Sequence, residues 1–492
     1  MTSERPGGGP TLATGLGLFA TLIAFVIGAR VIRDNSLLTH LATGELILDQ
    51  GSVPTADPYS RTAPGDAWTV QSWLASIVYA LIDRTVGPTG LRLLNGVTAA
   101  LITAGVWRLT APSRQVVPRL ALTLTPLVIG AQMWSPRPFL FGLLAVVALL
   151  VVVESGARPL LLVPLFWLWT NTHGSFPLGI ALLGALAVGR LLDHRQLNRT
   201  EAEDGGLTPW SIQEMPEIRY GLAATAGVVL GAINPVGPRL VWFPIHLLGR
   251  RDALAGVVEW QPPSFDNVAE LLFLALIALV AVAARFGASW RALLPSLCFL
   301  AGGMLAIRNI AMAAIVVVVL VAPSFRDRFG EELGTATGLL PRLLGRAAVV
   351  GLAVIAVVVA TGPGLDLDAY PVDEIAFLDD RDLVGVDSGL IHREGVGNYL
   401  TFRYGPDAGV FIDDRFDYFP VELTDDHLAL LHGGDYRAVL DRWAGDVVLW
   451  EADSVLADWL RDDEQWTVVR NGDGWVIACR VGSSAHQRCT DS

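Results

Sequence analysis

The chain has 492 residues, 52% of them apolar and 17% charged, with a mean hydropathy of +0.48. A soluble chain of this length carries about a quarter charged residues, so the composition excludes an ordinary soluble protein. From Pro363 onward 27 Asp and Glu face 10 Arg, a net of −17 inside a chain of −13, which leaves about +4 for the rest. No basic stripe exists to displace counterions, and nucleic acid is excluded as a partner. Every cation is Arg, and Lys is absent; codon bias accounts for that.

Twelve apolar runs can be considered as spans, near 12–31, 69–86, 92–111, 117–134, 138–154, 158–171, 175–193, 219–236, 267–286, 291–306, 307–322 and 346–362. The first is read as a retained helix rather than a cleaved signal, because only Arg5, beside Glu4, precedes it and no small-residue cleavage site follows. Asn35–Gln50 spaces Leu37, Leu38, Leu41, Leu46 and Leu48 as on a helix. It predicts an amphipathic helix lying on the membrane. Gly51–Ala67 reads as a Pro, Asp, Ser and Thr loop, and 34–68 as the first external loop.

Arg-rich short loops stay cytoplasmic. Four loops carry that mark: Arg108, Arg114 and Arg119; Arg190, Arg195 and Arg199; Arg285 and Arg291; Arg326, Arg328, Arg342 and Arg346. They agree if each later run crosses once, which puts Trp134–Pro138, Asn171–Phe176, Asn234–Asp266, Arg308–Asn309 and the tail outside. With the N-terminus inside, 69–111 must then cross an odd number of times, so 69–86 is read as interfacial or re-entrant. The expectation is about eleven crossings over residues 1–362. The insert His194–Glu217 reads as a flexible polar cytoplasmic loop.

Residues 363–492 alternate strand-like pieces (Val410–Ile412, Asp446–Trp450, Trp466–Val469, Trp475–Cys479) with helix-like ones (His427–Leu431, Tyr436–Trp443, Ser454–Leu460). That alternation predicts a small α/β domain. Cys298 is assigned to the apolar core. Cys479 and Cys489 stand either as a disulfide or as two free thiols, and no Cys/His cluster has zinc-ligand spacing.

Asp34 ends the first run, at the water boundary where a general base for a sugar hydroxyl would sit; the alternative is a boundary charge paired with Arg30 or Arg33. Polar and aromatic residues gather on the loops placed outside: Trp134 with Arg137, Asn171 with His173, Asn234 and Arg239 with His246, Glu259 with Trp260 and Gln261, and Arg308 with Asn309. A transport path would put ionisable groups in mid-helix, where these runs hold almost none. Other Trp and Tyr are assigned to an interfacial belt.

A first helix ending in Asp, then HLATGELIL, ADPYS and a Trp-Leu motif, resembles bacterial GT-C-type membrane glycosyltransferases. NTHGSFPLG, NPVGPRL, VEWQ, RNIAMAA and NYLTFRYGPDAGVFIDDRFDYFP resemble an uncharacterised branch of that superfamily. The resemblance implies a GT-C-like all-α membrane domain with a small α/β extracytoplasmic domain, in a bacterial plasma membrane. It also implies transfer of a sugar from a polyprenyl-phosphate donor to a glycan or lipid acceptor on the outer face.

Carried over, the catalytic base is Asp34. Asn35 breaks the two-carboxylate form of the motif, so a divalent metal is left open and Asp57 or Glu45 becomes the second carboxylate. His40 binds the donor phosphate or the acceptor, or merely lies on a polar helix face. Arg137 and Arg308 are phosphate forks or headgroup anchors. His173 and Glu259 line the cavity or build turns, and Asn234-Pro235 reads as a turn. Asp413-Asp414-Arg415, after a short strand, stands either as a site at a strand end or as an Arg–Asp network fixing the domain to the membrane part. A non-catalytic scaffold or accessory subunit of envelope polysaccharide assembly is the second expectation, and a transporter the third.

Overall fold

The computed structural model describes residues 11–203, 215–250, 254, 256–329, 339–472 and 474–491. The chain opens with α1 (Leu12–Gly28), α2 (Asn35–Gln50), α3 (Trp73–Val86), α4 (Pro88–Leu109) and α5 (Val116–Ala131). It continues through α6 (Phe139–Glu154), α7 (Leu162–Thr172), α8 (Phe176–Glu203), α9 (Pro216–Gly231) and α10 (Arg239–Leu248). Then come α11 (Val268–Arg285), α12 (Trp290–Leu305), α13 (Ile310–Val321) and α14 (Leu339–Thr361). The tail holds α15 (Val372–Asp379), α16 (Glu394–Tyr404), α17 (Val421–His432), α18 (Tyr436–Arg442), α19 (Val455–Asp462) and α20 (Ser484–Thr490).

Each of the twelve apolar runs forms a helix. Among the described residues five helical stretches are long and apolar enough to cross a membrane: Pro88–Ser113, Phe176–Asn198, Val268–Arg285, Ile307–Phe325 and Pro341–Thr361. The chain divides into two compact units. A helical unit takes the described residues of Met1–Ile32, Val86–Asn234 and Val258–Gly364. An acidic unit takes Arg33–Thr85, Pro235–Val257 and Leu365–Ser492. The first loop and the 235–257 segment thus fold with the tail.

In the helical unit α13 is apolar all round and every one of its residues is buried, as a helix without a polar face requires. Helices α1 and α4 meet through glycines: a Cβ on Gly28 would sit 2.8 Å from Ala99 Cβ, and one on Gly96 3.0 Å from the Phe25 carbonyl. Small residues of this kind let two apolar helices approach closely. Arg92 is buried and donates to the carbonyls of Ala29 (2.9 Å), Val359 (3.3 Å) and Pro363 (2.6 Å). It thereby satisfies oxygens left over where α1 and α14 end. Helix α14 is the opposite of α13, with 11% of its apolar window buried.

At another helix end, buried Glu217 lies between Arg190 (2.7 Å) and Arg291 (3.0 Å), and Arg291 also reaches Glu154 (2.8 Å). These side chains line a cavity of about 340 Å³. Asp193 accepts the N–H groups of Trp290 (2.6 Å) and Arg291 (2.9 Å), and so caps α12. Residues 194–203 of the expected loop are helical, the end of α8; residues 204–214 lie outside the described residues. Two assignments reverse: Cys298 is exposed on α12, while Trp169 and Trp107 are buried core rather than belt.

The acidic unit carries a four-stranded sheet, β1 (Leu390–His392), β2 (Val447–Glu451), β3 (Trp466–Gly472) and β4 (Trp475–Arg480), in the order β1-β2-β4-β3. β1 and β2 are parallel, with Leu390 opposite Val447; the other pairs are antiparallel, with Val448 opposite Ala478. Val447–Trp450 is buried throughout, as expected of a strand covered on both faces. Val410–Ile412 is not a strand of this sheet: Val410 makes a single bridge to Ser60 of the first loop. Cys479 and Cys489 form a disulfide between β4 and α20.

Helix α2 forms where expected, but not as a membrane-surface helix. Leu37, Leu38 and Leu41 are 0–1% exposed, and Leu38 belongs to the acidic unit's core. Helix α16 packs against α2.

Candidate functional site

The predicted residues fall into two groups, one in each unit. In the acidic unit Asp34 is the N-cap of α2; its Oδ1 accepts the Leu37 N–H at 3.2 Å, and the residue is 8% exposed. A short carboxylate before a helix answers the unpaired N–H groups of the first turn. Arg33 does not serve Asp34; it bonds Asp366 at 2.5 Å. Within that turn Ser36 Oγ donates to Asp414. Asn398 Oδ1 accepts the Asp414 N–H at 3.2 Å and the Thr39 hydroxyl at 2.8 Å. A buried polar seam therefore runs from α2 to α16 and the DDR segment.

His40 lies one turn on, its Nδ1 3.0 Å from Ser76 Oγ and its ring edge-on to Tyr79. Gly44, four residues later, makes this approach geometrically available: a Cβ there would sit 2.1 Å from the Ser76 carbonyl oxygen of α3. Glu45 is turned outward and pairs with Arg84, which also holds Asp49.

Asp57 is fully engaged. Its Oδ1 accepts the Tyr59 N–H at 3.3 Å and its Oδ2 the Ser60 N–H at 2.9 Å, with Ser60 Oγ also donating; this is an Asx turn. Arg415 Nη1 reaches Asp57 at 2.6 Å while its Nε reaches Asp413 at 2.9 Å. Both carboxylates are 0% exposed and the guanidinium side chain 7%. Rings of Trp68 (4.7 Å) and Tyr59 (5.2 Å) cover Arg415, with Tyr418 and Phe419 beside them. Burial by itself would lower the Arg415 pKa; the two carboxylates reverse this and raise it. Burial pushes the neighbouring Tyr59 hydroxyl up to about 12. The Arg–Asp network expected after Val410–Ile412 therefore exists and joins the first loop to the tail.

In the helical unit Arg137 pairs with Glu259. Arg308 stacks over Trp260 at 4.4 Å, and the Ile307 N–H bonds the Gln261 carbonyl at 2.9 Å. VEWQ and RNIA thus pack as one cluster holding Arg137, Glu259, Trp260 and Arg308. His173 takes part differently: its Nδ1 accepts the Ser175 N–H at 3.1 Å, Trp169 Nε1 donates to Ser175 Oγ at 3.0 Å, and its ring faces Phe139. It organises the NTHGS turn. Asn234 Nδ2 donates to the Gly231 carbonyl at 2.5 Å, as a turn residue does.

Sequence reasoning missed Ser36, Thr39 and Ser76 as partners, and it missed the buried Glu394–His427 pair (2.9 Å) between α16 and α17. Among the described residues no group of three His, Cys, Asp or Glu is arranged to hold a metal ion. What the acidic group offers is a buried carboxylate at a helix start within a hydroxyl- and amide-rich seam. What the helical group offers is two guanidinium groups, one against a carboxylate and one against an indole. No known family model matches the chain, and no curated protein matches it.

Proposed function

We propose that the chain is a polytopic glycosyltransferase of GT-C type, transferring a sugar from a polyprenyl-phosphate donor to a glycan or lipid acceptor on the outer face of a bacterial plasma membrane. The observation that carries this reading is Asp34. It lies six residues past the end of α1 and is buried at the start of α2, in the turn that joins Ser36, Asn398 and Asp414. In this reading Asp34 takes the acceptor hydroxyl proton. The acceptor oxygen forms a bond to the anomeric carbon as the bond from that carbon to phosphate oxygen breaks, and lipid phosphate leaves. Arg137 and Arg308, in the helical unit, are the candidate binders of the donor's lipid phosphate. Asp57, bound to Arg415, shapes the loop rather than moving protons.

Eleven crossings, with the N-terminus inside and the tail outside, go with this function. Trp73 of α3 lies in the acidic unit's core with Tyr59, Trp68 and Tyr399. A non-crossing α3 supplies the odd count that the Arg loops require. The Cys479–Cys489 disulfide supports an oxidising side for the tail.

The test is retention of labelled polyprenyl-phosphate glucose, mannose and galactose by the full chain in nanodiscs. Arg137→Ala and Arg308→Ala are expected to weaken retention about tenfold or more each, as loss of a charged hydrogen bond does. No retention of any of them by the unsubstituted chain would turn the reading to its rival, a non-catalytic accessory subunit of envelope polysaccharide assembly whose acidic tail docks a partner. One observation favours that rival: both expected second carboxylates are engaged elsewhere, Glu45 by Arg84 and Asp57 by Arg415, and Asn35 follows Asp34.

A further inference from the structure

The helix that the leucine spacing assigned to the membrane surface, α2, is covered by protein; another helix has the exposed apolar face that α2 lacks. Helix α10 is apolar nearly all round. One side is seated in the acidic unit: Leu240 is 2% exposed in the core that holds Tyr59 and Trp68. The segment after it is fixed as well. Arg250 donates to the Phe419 carbonyl, and the backbone at Gly256 lies so close to Leu428 that a Cβ would come within 2.6 Å. The other side is bare, with Trp242 64%, Ile245 60% and Leu248 58% exposed.

On the helical wheel this bare arc passes from Leu248 through Ile245 and Trp242 to His246 and Arg239, both exposed. An apolar centre with a cationic edge and a Trp is the pattern of a helix lying in a headgroup layer. Ten residues span about 15 Å, half a hydrocarbon core, so α10 cannot cross. Two further facts commit the occupant to lipid. Residues 235–250 hold no Asp or Glu, in a unit whose tail alone is −17; this stretch meets anionic headgroups where the rest of the unit repels them. And α10 begins eight residues after α9 ends, a reach of roughly 25 Å, while α9 itself presents Leu222 and Val229 at 68% and 64% exposure.

We propose that α10 is the membrane seat of the acidic unit, with Trp242, Ile245 and Leu248 among acyl chains and Arg239 and His246 at the phosphates of an anionic bilayer. The seat sets the height of the acidic unit above the hydrocarbon, and it does so whatever reaction the unit performs.

The test uses the full chain carrying Cys298→Ser, with Cys479–Cys489 intact, in nanodiscs of phosphatidylethanolamine and phosphatidylglycerol. Nitroxides are attached through Trp242→Cys, Ile245→Cys and Leu248→Cys, one at a time, and through Asp458→Cys as the aqueous reference, a side chain 74% exposed. Collision rates with oxygen, which partitions into lipid, and with a water-soluble nickel chelate are compared. The expected result is an oxygen-to-nickel ratio several-fold above the reference at all three α10 positions. A ratio equal to the reference would place the face in water, and exclusion of both reagents would place it under protein; either result overturns the proposal.

Discussion

The two units use a buried arginine in different ways. In the helical unit Arg92 takes backbone carbonyls where α1 and α14 stop, although buried Glu217 of the same unit pairs with Arg190 and Arg291. In the acidic unit buried charges meet other side chains from far along the chain, as Arg415 meets Asp57, 358 residues away. An apolar medium leaves helix ends no water to satisfy them, so charge is admitted where it closes them. In the acidic unit a charge pair instead specifies which distant loops belong together.

The largest effect expected from this comparison is at Arg415. Arg415→Met leaves two carboxylates buried and unpaired, which costs about 3–5 kcal/mol, read as a lower denaturation midpoint of the full chain. Adding Asp57→Asn and Asp413→Asn should recover part of the loss. Arg415→Met melting with the unsubstituted chain would dissolve the contrast. Cys489→Ser opens a ten-residue loop and should cost about 2–3 kcal/mol, confined to the acidic unit and visible as faster proteolysis of the tail. Arg92→Met strands carbonyl groups and should cost about 1–3 kcal/mol, with the loss in the helical unit; a loss in the tail instead would break the comparison.

The last expected effect is a pH slope, modest per pH unit, carried by the acidic unit. Burial holds His392 down at about 3. Burial acts to raise Glu394, but the His427 hydrogen bond and charge outweigh it and hold it at about 2. Between pH 6.5 and 3 the unfolded chain binds a proton at His392 that the folded one refuses, so stability falls with falling pH by up to about 1.4 kcal/mol per pH unit. Glu394 adds the same sign from pH 4.5 down to about 2, where its contribution is gone. His392→Gln should flatten the slope between pH 6.5 and 4.5 in a denaturation series; an unchanged slope would move its origin elsewhere.

Apolar runs were legible because each is a helix whose composition alone decides it. The same logic found β2, β3 and β4, where apolar and β-branched residues concentrate. It failed on β1, three residues long, and on α16, whose EGVGNYLTFRY has no apolar stripe because Asn398 and Thr401 are buried along with Val396 and Leu400. Val410–Ile412 looked like a strand because it is fully buried, yet its partner is one bridge from the first loop. α10 was hidden by Pro244 and by its shortness. Of the candidate site, Asp34 was read at the end of the first run and is instead the N-cap of α2, while Arg137, Glu259 and Arg308 were read only as loop residues. That Asp57 is held by Arg415 and Glu45 by Arg84 was not, since such pairings follow from the fold and not from spacing.

The central claim is that Asp34 accepts a proton during sugar transfer, and the direct measurement is the turnover of the polyprenyl-phosphate sugars named above by the full chain in nanodiscs, with Asp34→Asn beside it. Asn also caps a helix, so the fold of α2 survives the change. The account predicts turnover of at least one of these donors that drops about 10²–10⁴-fold in Asp34→Asn while donor retention persists. Equal rates for the two chains, or no turnover of any of the three by the unsubstituted chain, would contradict it.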